Sequence, residues 1–170
     1  MPKPAKNKLP VIAVLGLLTG TLDAIAAIII SYPVSPGQIF RYIASGLFGK
    51  EAFTDDNMVL WGVSFHYLIA FLFSAALLEL YPKFRYLTKN KYIIGIIYGL
   101  MIWVIMNFAV LPVTNVPKQS ISPHINWVAD IKAITALIIC LGIPIAIASE
   151  WYYIKNAHRK SQREARSLNT

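Results

Sequence analysis

At 170 residues the chain has the length of one domain, and with 56% hydrophobic residues and a mean hydropathy of +0.55 it is too apolar for an ordinary soluble fold. A formal charge of +8 would suit a phosphate backbone, but the cations flank apolar stretches, so they read as topological charge and nucleic acid is set aside as a partner. The single cysteine, Cys140, precludes an internal disulfide, and there is no CxxC or Cys/His zinc spacing.

Residues 1–8 form a basic N-terminal segment carrying Lys3, Lys6 and Lys8. The first apolar stretch, 9–32, follows at once. Its start, with Ala24-Ile25-Ala26 further on, imitates a signal peptide. The run continues through Ile28, Ile29 and Ile30, however, and reaches the roughly 20 residues that a bilayer requires, so it reads as a retained span. Next, Ser35-Pro36 with Gln38 forms an N-cap, N1 and N3 signature. From there Ile39, Phe40, Ile43, Ala44, Leu47 and Phe48 recur at helical spacing opposite Arg41 and Ser45. That pattern predicts a short amphipathic helix over 36–49, ended by Gly46 and Gly49, lying in the interface or across the mouth of the bundle.

Residues 58–81 form the second span, and the short basic connection Pro82–Lys91 makes the third span, 92–111, its antiparallel neighbour. Pro112, Pro117 and Pro123 mark an extended loop before the fourth span, 128–153. Pro144 is expected to kink that last helix. Residues 154–170 read as a basic tail that extends the fourth helix and frays. Tyr and Trp side chains gather at the predicted boundaries, as amphipathic rings do. The fold class is therefore all-α: a polytopic four-helix membrane bundle with one interfacial helix.

Twelve of the sixteen Lys and Arg residues fall in the N-terminal segment, the Pro82–Lys91 connection and the tail. The positive-inside bias then puts both termini in the cytoplasm. Lipid is the principal partner; a homo-oligomer or a second membrane protein is the other partner class considered.

Helices in lipid associate through small residues rather than hydrophobic force. Span one offers Gly16, Gly20, Ala24 and Ala27, with Asp23 on the same face; span two offers Gly62, His66, Ala70 and Ser74. Span three carries Gly95 and Gly99, in a GxxxG spacing like that of Gly16 and Gly20. Asp23 lies about 13 Å, and His66 about 12 Å, inside the same predicted boundary, counting about 1.5 Å per residue. Their level placement predicts an Asp23–His66 hydrogen bond or ion pair, with Asn107, Ser64 and Thr135 as further members. Structural register and a proton or ligand role are both open to such a pair. Glu79 and Glu150 are expected to pair with Lys83 and Lys155. No P-loop, Rossmann fingerprint, GxSxG, HExxH or metal-ligand spacing occurs. Haem ligation would need two histidines within spans, and His66 is alone, so neither cofactor nor metal is expected.

Gly20-Thr21-Leu22-Asp23, the segment Ile43–Phe53, Phe65-His66, Gly95-Ile96-Ile97-Tyr98-Gly99 with Met106-Asn107, and Gly142-Ile143-Pro144 together resemble the YagU-like group of small bacterial inner-membrane proteins. The resemblance covers roughly Leu9 to Tyr153. It implies a multi-pass protein of the bacterial inner membrane and supplies no catalytic residues. The first functional reading is a non-enzymatic accessory or envelope-associated component. The alternative is a small transporter or proton-linked permeation unit using Asp23 and His66, and the third is a membrane enzyme or redox subunit acting on lipid or quinone. Labelling of whole cells is expected to find both termini on the cytoplasmic face; termini on opposite faces would dissolve the depth match between Asp23 and His66.

Overall fold

The computed structural model of the protein describes residues 8–117 and 127–168, with backbone alone at 158–160, 163–166 and 168. His124 and most of the proline-rich loop therefore lie outside the described residues. Helix α1 spans Leu9–Ile30, α2 spans Pro36–Phe48 and α3 spans Met58–Leu87. Helix α4 runs Lys91–Val113. Helix α5 begins as Trp127–Leu137, passes a π-helical turn at Ile138–Gly142 and continues as Ile143–Leu168. Four of these, α1, α3, α4 and α5, are long and apolar enough to cross a membrane. The protein is an all-α, four-helix membrane protein. Leu17, Ile25, Ile29, Leu60, Leu68, Leu72, Ile131 and Ile139 remain exposed on its sides, as helices that face lipid require.

Two ion pairs fix which helix ends share a face. Lys8 Nζ lies 2.6 Å from Glu79, and Lys91 Nζ lies 2.9 Å from Glu150. The start of α1, the far part of α3, the start of α4 and the far part of α5 thus meet at one end, with α2 at the other. These are not the partners expected from sequence. Lys83 and Lys155 are neighbours in the chain, whereas the lysines beginning α1 and α4 reach across helix interfaces. Lys155 instead lies over the Trp151 ring, 4.2 Å from its centroid. The Glu79 carboxylate holds the Lys8 ammonium above its ordinary value.

Helices α1 and α3 form one close pair. A Cβ on Gly16 would enter the Phe71 ring, and one on Gly20 would stand 2.9 Å from the Tyr67 ring. Polar contacts run along the same seam: Thr19 and Ser74, both fully buried, approach to 3.4 Å, and the Thr21 and Tyr67 hydroxyls to 2.9 Å. Helices α4 and α5 form the second pair. There a Cβ on Gly95 would lie 2.7 Å from Ile143 Cα and one on Gly99 2.6 Å from Ile138 Cα, while one on Gly142 would strike the Gly95 carbonyl. Where glycine takes away the side chain, the two backbones touch. Helices α3 and α4 also meet, through the Tyr98 hydroxyl, which donates to the Phe73 carbonyl at 2.6 Å.

Proline leaves a distinct mark in each of three helices. Helix α3 does not stop at Tyr81, as expected, but continues through Pro82 to Leu87. Pro82 has no N–H for the Leu78 carbonyl four residues back, and the Tyr153 hydroxyl of α5 donates to that carbonyl at 2.9 Å. In α4, Leu111-Pro112 follows a π-helical turn at Met106–Val110, with the Leu111 N–H bonding to Met106 O. In α5, Ile143-Pro144 follows the turn at Ile138–Gly142, with the Ile143 N–H bonding to Ile138 O. The disturbance expected at Pro144 thus takes the form of a widened turn, one of the recognised lesions of a proline-bearing helix. The tail, expected to fray, is helical to Leu168. Its Lys, Gln, Arg, Glu and Ala residues are good helix formers and it contains neither Gly nor Pro.

Helix α2 begins at Ser35, whose side chain accepts from the Gln38 N–H, and stops at Gly49 with φ 63°. Gly46 lies inside the helix and does not end it. α2 packs across the bundle mouth, where its Phe40 backbone rests so closely on Gly62 of α3 that a Cβ there would collide with the Phe40 carbonyl. Ser45 is buried rather than on a polar outer face, its hydroxyl donating to Tyr42 O at 2.7 Å. A small side chain at this contact side satisfies itself on the helix backbone, so polarity alone misplaced it. Arg41 pairs with Asp56 just before α3. The Asn115 N–H bonds to Gly46 O and its side-chain amide to Leu47 O, each at 2.9 Å, closing the C-terminal end of α2.

Tyr153→Phe should lower unfolding free energy in detergent by about 1 kcal/mol, the net worth of one buried hydrogen bond. With Pro82→Ala already in place the same change should cost less, because the restored N–H serves Leu78. Equal costs in the two backgrounds would refute the substitution of one donor for the other.

Candidate functional site

Between the two helix pairs, on the α2 side, lies a cavity of about 450 Å³. Asp23 and Ala27 of α1 form one wall; Phe65, His66 and Ile69 of α3 form the next. Ile102, Met106 and Val110 of α4 face Leu137 and Leu141 of α5, and both π-helical turns therefore border the space. Tyr42, Ile43 and Leu47 of α2 close it above, with Thr114 and Val116 from the chain leaving α4. Such a size lies within the range of about 300–1,000 Å³ usual for small-molecule sites, and the apolar wall with few polar groups is their usual character.

Of the five residues predicted to form a polar centre, the structure brings Asp23 and His66 to this one cavity. No hydrogen bond or ion pair joins them, although the two groups interact electrostatically. His66 Nε2 bonds instead to the Gly20 carbonyl at 2.8 Å. A carbonyl can only accept, so Nε2 carries the hydrogen. Gly20 explains the choice: with no side chain to shield it, its backbone oxygen stands open to α3 where the helices are closest. Counting residues along two axes matched the depths of Asp23 and His66 without considering the backbone as a competing acceptor. The His66 ring is further fixed edge-on by Phe40 and Tyr67, with centroids at 6.0 and 5.6 Å. Asp23 has no hydrogen bond or ion pair among the described residues.

The remaining candidates stay on their own helices. Asn107 donates to Trp103 O at 2.9 Å, Ser64 to Leu60 O at 2.8 Å and Thr135 to Ile131 O at 2.7 Å. Each side chain satisfies itself one turn back, which helices allow at no tertiary cost. None lines the cavity. Asp55 caps the Asn57 N–H and Asp56 pairs with Arg41, and among the described residues no three His, Cys, Asp or Glu side chains gather to hold a metal ion. Sequence reasoning missed Tyr42. Burial pushes its phenol up from the ordinary value, so the hydroxyl remains a donor across the physiological range. The signal was present only as the apolar face of α2, on which Tyr42 is not a periodic member.

Fold and cavity define a polytopic α-helical membrane protein with a mostly apolar intramembrane site bearing one carboxylate and one imidazole. Among protein-family models, curated proteins and solved structures, none matches the chain.

The two ionisable residues should separate in stability measurements. His66→Phe removes the tie to Gly20 and should lower thermal stability in detergent, by about 0.6–2 kcal/mol for an interhelical hydrogen bond. Asp23→Asn removes no hydrogen bond or ion pair seen among the described residues and should unfold with the wild type. A His66→Phe protein as stable as the wild type would show that the tie carries no weight.

Proposed function

We propose that this chain is a non-enzymatic component of the bacterial inner membrane that holds a lipophilic molecule in its α2-side cavity, with both termini in the cytoplasm. The cavity carries the reading: it is bounded by all four spans, almost wholly apolar, and closed above by a helix packed across the mouth. A bundle built only for scaffolding has no use for that space, since helices in lipid gain stability by contact and an unfilled gap forfeits it. The orientation rests on the charge bias of the segments flanking the spans. The compartment rests on the resemblance of the Gly20–Asp23, Ile43–Phe53 and Gly95–Gly99 segments to YagU-like inner-membrane proteins.

The second reading, a proton-linked permeation unit, draws support from Asp23, a carboxylate left unpaired beside an imidazole in a shared cavity. Intramembrane ionisable residues mark ion and substrate pathways more often than they mark scaffolds. Such a unit would work as a dimer, because four helices are few to enclose a path across the membrane.

Purification in mild detergent followed by native mass spectrometry should find one lipophilic molecule bound per chain. Ile69→Trp, which places a larger ring into the cavity, should remove that molecule and leave the folded protein intact. A wild-type protein without any added mass, or an adduct indifferent to Ile69→Trp, would overturn the reading.

A further inference from the structure

Resting on that reading, we infer that the cavity takes an amphiphilic organic cation, an apolar body bearing one ammonium- or phosphonium-type charge, with Asp23 as its counter-ion. Among the described residues Asp23 is the one carboxyl group on the cavity wall, where it stands beside His66. Among the described residues no cation forms an ion pair with Asp23. His66 gives Nε2–H to Gly20 O. Arg41, the cation of the covering helix, pairs with Asp56. Lys8 and Lys91 are bound to Glu79 and Glu150 at the opposite end of the bundle. Lys132 of α5 lies on an exposed face and does not line the cavity.

An intramembrane carboxylate normally finds a partner, water or a ligand. The wall around Asp23 is mostly apolar and, among the described residues, gives it no hydrogen bond or ion pair, so the complement it lacks is positive charge joined to apolar bulk. A neutral hydrocarbon ligand would bury the carboxylate without compensation, and an anion would meet repulsion at short range in a medium that screens poorly. The aromatic rings of Tyr42 and Phe65 line the same space, and the faces of such rings attract organic cations. Charge, shape and lining thus agree on one ligand class.

The test uses the full chain in a neutral detergent with three probes: N-phenyl-1-naphthylamine as a neutral apolar reporter, tetraphenylphosphonium as the cation and tetraphenylborate as its near-isosteric anion. The neutral reporter should fluoresce in the wild type and lose its site in Ile69→Trp. Tetraphenylphosphonium should displace it at concentrations at which tetraphenylborate does not. In Asp23→Asn the reporter should still bind, while tetraphenylphosphonium weakens by roughly tenfold or more, the change expected from about 1.4 kcal/mol of lost interaction. Equal competition by cation and anion in the wild type, or undiminished tetraphenylphosphonium binding in Asp23→Asn, would overturn the inference while the retained reporter left the lipophilic cavity standing. Failure of the reporter to bind the wild type at all would remove both. The wild-type contrast between cation and anion needs no variant, so it decides the matter even if Asp23→Asn fails to fold.

Discussion

Close approach of helices at glycine organises this molecule. In lipid, tails are as apolar as leucine, and helices adhere only where they come close enough for dispersion and polar contacts to act. Gly16 and Gly20 bring α1 onto α3, and Gly95, Gly99 and Gly142 bring α4 onto α5. Each seam determines what happens beside it. Because Gly20 bares its carbonyl, His66 is drawn to the α1 backbone and away from Asp23. Because Gly62 admits the Phe40 backbone, α2 lies across the bundle rather than floating at the interface. The cavity is what remains where the two tight pairs diverge beneath that helix, and the unpaired state of Asp23 follows from the same geometry.

A second constraint acts on Pro82, Pro112 and Pro144. Hydrocarbon offers no water to a carbonyl deprived of its N–H, so the deficit has to be met within the protein or absorbed by the helix. Pro82 is answered by a tertiary donor, the Tyr153 hydroxyl, and α3 continues undivided past it. Ahead of Pro112 and Pro144 the turn widens so that an N–H bonds five residues back. The two solutions have different consequences. A tyrosine staple ties α3 to α5 near the ends that carry the termini. Widened turns occur where α4 and α5 border the α2-side cavity, so the prolines help to shape that space.

The architecture was legible because the strongest signals are local and repetitive. Runs of about 20 apolar residues identify spans whatever their neighbours, and Ser35-Pro36 with Gln38 announces the start of α2 within a few residues. The glycine positions were legible for the same reason, since small residues three or four apart share a helix face. What failed was competition among partners. Sequence spacing put Glu79 and Glu150 near Lys83 and Lys155, but nothing in the spacing says that Lys8 and Lys91 arrive from other helices. Asn107, Ser64 and Thr135 looked like intramembrane polar residues in need of company, yet each satisfies itself on its own helix. Pro82 read as the end of a span because the Tyr153 hydroxyl that sustains the helix lies 71 positions further along the chain.

The division of labour between the two ionisable residues follows from these same competitions. His66 is buried, its ring fixed by two aromatic neighbours and its Nε2 engaged by backbone, so its place in the structure is explained without any ligand. Asp23 has no such explanation. Replacing a carboxylate by any apolar residue of similar size would leave the α1–α3 seam intact, since Gly16, Thr19, Gly20 and Thr21 make its contacts. A carboxyl group that makes no hydrogen bond or ion pair among the described residues, on the wall of a mostly apolar cavity, invites a rationale outside the chain, and the cavity beside it is where that rationale would sit.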